Sequence, residues 1–144
     1  MKGTYCLLIH FPRETDISVG AMGVRRFPAG AYIYVGSALG GIEQRVGRHK
    51  SSKKRRRWHI DYLLEKGEVI AIAAIPSSSK DTECSIAKSL LASEEAEPGA
   101  IGFGSSDCGC PSHLVYFGDR DPELVAETLT MVLSTLQTAY PRTV

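Results

Sequence analysis

Three short apolar runs set the limits on what this chain can fold into. Residues 4–11 (TYCLLIHF), 31–36 (AYIYVG) and 68–75 (EVIAIAAI) are rich in β-branched, aromatic and aliphatic side chains, and Pro12 and Pro76 stop the first and third. Proline offers no N–H to a ladder or helix, so each run reads as a strand rather than a buried helix. The third has almost no polar face, which predicts burial on both sides and a central place in a sheet. Residues 17–27 alternate weakly around Gly20 and Gly23, and Pro28-Ala29-Gly30 is turn chemistry, so 17–36 reads as a hairpin.

Helical patterns fill the gaps. After a loop at 37–41 a short helix is expected over 42–49. Ile60, Leu63 and Leu64, spaced i, i+3 and i+4, predict another over 58–65, with Gly67 as its stop. Asp81 or Thr82 caps a helix running to about Ala96. Residues 97–112, rich in Pro, Gly, Ser and Cys, form a structured loop, and 113–117 a short strand. Asp121-Pro122-Glu123 combines a cap, a proline at the first helical position and an acid in the first turn. Val125, Leu129, Val132 and Leu136 follow on one stripe. This order predicts one α/β (α+β) domain over 1–144, with a core at about 3–90 and a C-terminal loop, strand and helix at 97–140.

With 144 residues, 43% hydrophobic and 23% charged, the chain has the size and balance of a single soluble core. The stretch 69–75 is its longest purely apolar one, far short of the roughly 20 residues of a membrane helix. The first residues show no secretory pattern, so a cytoplasmic protein with no membrane partner is expected. In that reducing compartment the four cysteines read as thiols or metal ligands sooner than disulfides.

A net charge of +1 conceals a divided chain. Residues 1–67 hold 13 Lys and Arg against 5 Asp and Glu, a net of +8; residues 68–144 hold 4 against 11, a net of −7. Arg45, Arg48, Lys50, Lys53, Lys54, Arg55, Arg56 and Arg57 follow one another without an intervening acid, and Trp58 and His59 come next. The plain reading is a solvated loop. The sharper one is a strip that tracks nucleic-acid phosphates, independent of sequence and sensitive to salt. Trp58 then either stacks on a base or lids the core.

Tyr32-Ile33-Tyr34-Val35-Gly36-Ser37-Ala38, followed by Arg45 and His49, with Gly3-Thr4-Tyr5 upstream and Glu83 opening a later helix, resembles the GIY-YIG endonuclease superfamily. The likeness extends to an uncharacterised family of small GIY-YIG-like proteins through Trp-His-Ile-Asp-Tyr-Leu-Leu, Glu-Cys and the block Phe103 to Leu114. It implies a three-stranded antiparallel central sheet flanked by helices, with an inserted hairpin in the long interval between the tyrosine motifs. It also implies metal-dependent cleavage of phosphodiesters, DNA ahead of RNA. By position Tyr5 is then the base candidate, Tyr34 and His49 its supports, and Arg45 the phosphate clamp. Glu83 becomes the Mg²⁺ or Mn²⁺ ligand, and His59 orients water or touches phosphate.

The chemistry of these groups suits that task. A phenol works as a base only if a cation or metal lowers its pKa or water relays the proton. A guanidinium offers a fixed fork to the charge on phosphorus, and a carboxylate is a hard ligand for Mg²⁺. Active members place an asparagine after the metal glutamate; this chain contains none, leaving Ser112 or His113 for that place. A catalytically silent nucleic-acid-binding module for a repair or processing partner is therefore the competing expectation. Taken singly, each tyrosine, arginine and histidine also fits an ordinary packing or surface role, and Glu83 an ordinary place beside a helix start.

Cys108-Gly109-Cys110-Pro111-Ser112-His113, together with Cys84, carries a second possibility. Three thiolates and an imidazole make a tetrahedral zinc set, and a zinc-stabilised adaptor would follow. The tight spacing favours the plainer reading, a glycine-rich turn with small buried thiols. Asp107, Cys108 and His113 also contain the types of a thiol nucleophile, its base and an orienting acid.

Overall fold

The computed structural model of the chain describes residues 3–38, 41, 45, 59–76, 81–105 and 108–139. Its strands are β1 (Gly3–Phe11), β2 (Thr15–Ser18), β3 (Val24–Phe27), β4 (Gly30–Ala38), β5 (Glu68–Pro76), β6 (Glu97–Pro98) and β7 (Leu114–Tyr116). The helices are α1 (His59–Leu64), α2 (Asp81–Leu91) and α3 (Pro122–Ala139). Strands β5-β1-β4-β7-β6 form one sheet with every neighbouring pair antiparallel, and β2 and β3 pair in a separate ribbon.

Five strands stand where three were expected, because the C-terminal part adds β7 and the two-residue β6 beside β4. The inserted hairpin is present, but β2 and β3 close on each other, Thr15 opposite Phe27, while β4 runs on into the main sheet. Strand β5, expected at the centre, is an edge. It pairs with β1 alone, and Ile70 and Ile72 are 45% and 36% exposed. A register shift opposite Leu8 and Ile9 breaks its ladder, a device that blunts an exposed edge. Apolar continuity therefore marks the centre only for β1 and β4.

Those two strands are apolar on both faces because both faces are covered. Tyr5, Leu7, Ile9 and Phe11 of β1, with Tyr32 and Tyr34 of β4, pack under Ile17 and Phe27 of the ribbon, Ile60 and Leu63 of α1, and Phe103. The opposite face sets Cys6, Leu8, Ile33 and Val35 against Ile86 and Leu90 of α2 and Val125 and Leu129 of α3. Each fully buried aliphatic contributes about 1.5–3 kcal/mol.

Helix α3 begins as expected: the Glu123 N–H donates to Asp121 Oδ1 (3.0 Å), with Pro122 at the first position. Val125, Leu129 and Val132 face the core; the Leu136 side chain lies outside the described residues. Helix α2 stops at Leu91, short of Ala96. Glu97 and Pro98 must extend to pair with Tyr116 and Val115, so the chain leaves the helix in a turn where Glu95 takes φ 65° and pairs with Arg120. Arg45 is helical, its N–H donating to Gly41 O (3.2 Å); the rest of 42–49 lies outside the described residues. No helix among the described residues is long and apolar enough to cross a membrane.

Candidate functional site

At one end of the sheet Tyr5 lies opposite Gly36, two residues along β4 from Tyr34. Antiparallel pairing puts side chains in that diagonal relation on one face. Their ring centroids are 6.2 Å apart with planes 55° from parallel. Gly36 makes the arrangement possible: a Cβ there would stand 2.4 Å from Tyr5 Cζ and 2.5 Å from its hydroxyl oxygen. The glycine of the Tyr-Val-Gly-Ser-Ala motif is the floor on which the Tyr5 ring lies.

The Tyr34 hydroxyl and the Arg45 guanidinium both lie within hydrogen-bonding reach of the Tyr5 hydroxyl. Arg45 Nη1 also donates to Ser37 O (3.1 Å), anchoring the guanidinium to the end of β4. Burial is the dominant influence on both phenols. Tyr5 is 1% exposed and Tyr34 7%, and desolvation drives both pKa values above the usual tyrosine range. Arg45 pulls Tyr5 down and the Glu83 carboxylate pushes both up, but neither outweighs burial. Both are neutral phenols over the physiological range. The four residues named from sequence thus act on one another, although far apart along the chain.

Glu83 projects from the first turn of α2, and its Oε1 lies 2.8 Å from His113 Nδ1. That nitrogen is buried, and the contact is short without being aligned as a linear N–H···O bond, so charge attraction satisfies it more than a well-directed hydrogen bond does. Burial lowers the His113 pKa, but Glu83 and then Cys108 outweigh it and hold the imidazole above its ordinary value.

The other ring nitrogen faces sulfur. His113 Nε2 is 3.4 Å from Cys108 Sγ and 3.8 Å from Cys84 Sγ. With Cys110 Sγ, these four donor atoms lie within 4.8 Å of one another, a Cys₃His group that can hold a metal ion. All the cysteines are free thiols. Burial and its thiol neighbours push Cys84 up to about 12; Cys108 is pulled down because the Cys110 N–H, Cys84 and His113 overcome its burial. The loop is folded to this end by Gly102 N–H to Pro111 O (2.8 Å), Cys108 N–H to Ser105 O (3.2 Å) and His113 N–H to Phe103 O (2.8 Å). Val35 N–H donates to His113 O (2.9 Å), tying the loop to the strand that carries Tyr34. What the spacing favoured as a turn with small buried thiols is a convergent donor set.

His59 serves the same loop. Its Nδ1 accepts the Gly104 N–H (3.0 Å), its ring lies 5.5 Å from Phe103, and burial lowers its pKa. Phe103 in turn meets Tyr34 edge-on at 6.2 Å. His59 therefore packs behind Tyr34, one ring removed through Phe103. Ser112 is spent on its own turn, donating to Leu114 O (2.7 Å) and accepting the Leu114 N–H (3.0 Å). Arg48, His49, Lys50, Lys53, Lys54, Arg55, Arg56, Arg57, Trp58 and Asp107 lie outside the described residues.

Sequence reading missed Asp61, a carboxylate with no exposed surface on α1. An acid placed directly between Ile60 and Leu63 of the apolar stripe was the available signal. It also missed that Glu83 and Cys84, consecutive on α2, bracket the two nitrogens of one histidine.

No curated protein and no solved structure matches the chain. The family described as Domain of unknown function DUF123 matches residues 4–136, nearly the whole sequence, and the chain belongs to it.

Proposed function

We propose that this protein binds nucleic acid, DNA ahead of RNA, and hydrolyses phosphodiester bonds at the Tyr5–Tyr34–Arg45–Glu83 end of the sheet, as the GIY-YIG nucleases it resembles do. The observation that carries the reading is the meeting of Tyr5 and Tyr34, 6.2 Å apart between ring centroids, with the Arg45 guanidinium anchored at the end of β4 and Glu83 in electrostatic reach. In this reading the Tyr5 hydroxyl, in contact with Tyr34 and Arg45, is the group that would orient a phosphate oxygen or an attacking water. As a neutral phenol Tyr5 orients and relays; it is not a standing base. Arg45 supplies the fixed positive fork for charge developing on phosphorus.

Glu83 fits a Mg²⁺ or Mn²⁺ ion through Oε2, since Mg²⁺ takes most of its shell from water and phosphate oxygens. Such an ion would supply charge neutralisation at the leaving oxygen. The Cys₃His donor set suits zinc instead, in a structural capacity. The basic strip from Arg45 to Arg57 supplies salt-sensitive phosphate contacts.

Deep burial of Tyr5 and the engagement of Glu83 with His113 favour a second reading, the catalytically silent nucleic-acid-binding module. A nicking assay on supercoiled DNA with Mg²⁺ or Mn²⁺ separates the two. Arg45→Ala should lower nicking by about 10²–10³-fold; a variant that nicks like the parent overturns the site. Salt-steep binding without cleavage in either metal selects the silent module.

A further inference from the structure

The thiols and the phenols share one carboxylate. We infer that Cys84, Cys108, Cys110 and His113 bind a single zinc ion through three Sγ atoms and His113 Nε2, with Glu83 as the outer carboxylate that orients His113. The inference stands on the Cys/His geometry and does not require phosphodiester cleavage.

Distances support it first. With Zn–S near 2.3 Å and Zn–N near 2.0–2.1 Å, tetrahedral ligation separates sulfur from nitrogen by about 3.5 Å. The two S···N distances are 3.4 and 3.8 Å, and all four donor atoms fall within 4.8 Å. Three sulfurs and one nitrogen select zinc over Mg²⁺, Ca²⁺ or Mn²⁺, which take oxygen.

The surroundings support it next. A metal-bound histidine gives its other nitrogen to a carboxylate, which fixes the ring's tautomer and orientation. Glu83 stands 2.8 Å from the buried Nδ1, so Nε2 is the nitrogen turned to the three sulfurs. Three thiolates, a neutral imidazole and Zn²⁺ sum to one negative charge. Lys88, one turn beyond Cys84 on α2, places a positive charge in reach of Cys110. Cys108, His113 and Glu83 also stand in the order of a thiol nucleophile, its base and an orienting acid. A nucleophile needs one sulfur facing a substrate; here two further sulfurs crowd the same nitrogen, as a closed four-ligand site requires.

Glu83 also acts electrostatically on Tyr5 and Tyr34. Zinc binding, by fixing His113, would fix that carboxylate against the phenols.

Metal analysis of the full-length chain by mass spectrometry, without nucleic acid, should find about one zinc per chain. Co²⁺ added after chelation should give the visible spectrum of a tetrahedral thiolate site. Cys108→Ser should lose the zinc; should that variant not fold, the cobalt spectrum of the parent chain decides. Glu83→Ala should weaken zinc about 10–100-fold in competition with a chromophoric chelator. Glu83→Gln keeps an acceptor toward Nδ1 and should recover most of that loss, which a simple packing defect would not. A metal-free folded chain whose thiols alkylate freely, or one that carries iron, overturns the zinc site; unchanged zinc affinity in Glu83→Ala overturns the role of Glu83. A chain that binds zinc yet nicks nothing overturns only the phosphodiester reading.

Discussion

The sulfur end and the phenol end of this site lie side by side, yet they are built by opposite means. Three of the four Cys₃His donors come from the segment Cys108–His113, and Cys84 joins them from a helix start. The phenols come from two long central strands, and their neighbours are aromatic side chains and a glycine with nothing to add but space. The first arrangement gathers electron pairs and invites a cation. The second packs two buried phenols against each other and against a guanidinium. Glu83 serves both: it pairs with a histidine of the first and raises the pKa of both phenols of the second. Opposite chemistries can sit against each other here because one charged group is common to them.

The sharpest way to separate the two ends is at Gly36. Any Cβ there meets the Tyr5 ring at 2.4 Å, and that ring is walled in by the core. Gly36→Ala should cost about 1–3 kcal/mol, the usual range for overpacking, in urea denaturation. Bound zinc should stay at one per chain. Tyr5→Leu in the same chain should cost less than the sum of the two single changes, since the clash disappears with the ring. Loss of zinc in Gly36→Ala would show the ends to be one packed unit.

The central strands were readable in the sequence because apolar runs are local signals, whereas the hairpin expected to turn at Pro28-Ala29-Gly30 turns instead at Gly20–Met22, and the Pro-Ala-Gly segment joins two strands that do not pair. The start of α3 was readable from a local signal too, through Asp121 and Pro122. The edge position of β5 was not. Val69 to Ile75 looks like a two-faced core strand, and what decides its place is pairing with β1 alone, a long-range fact with no local signature. The end of α2 escaped similarly, since β6 pairing pulls the chain out of a segment whose residues favour helix. Of the site, Tyr5, Tyr34, Arg45 and Glu83 were named from a motif resemblance. That the Glu83 carboxylate faces a histidine, and that His59 holds Gly104, depends on loop closure across tens of residues.

Alkaline titration gives a smaller but more selective contrast. Burial raises the folded-state pKa of Tyr5 above the ordinary 10.0. A group raised on folding adds stability that is fully present below its unfolded pKa and is lost as pH climbs past it, because the unfolded chain sheds the proton first. Stability should therefore fall above pH of about 10. The fall should be shallower in Tyr5→Phe, which itself costs about 1–3 kcal/mol at neutral pH by removing the hydroxyl that Arg45 and Tyr34 contact. Thermal unfolding of parent and variant from about pH 8 to about pH 11 in the presence of zinc checks both. Parallel curves would mean that the Tyr5 pKa does not change on folding, against its burial.

Lys88 offers the smallest effect and the finest division. It is exposed, and its influence on Cys110 is through-space charge attraction. Lys88→Ala should weaken zinc by less than about five-fold, in keeping with an exposed charge, and the difference should vanish at about 1 M salt. The alkaline unfolding profile set by Tyr5 should not move, because Lys88 is not among the charges that act on either phenol. If the profile does move, the fields of the two ends overlap beyond Glu83, and the carboxylate is one conduit among several.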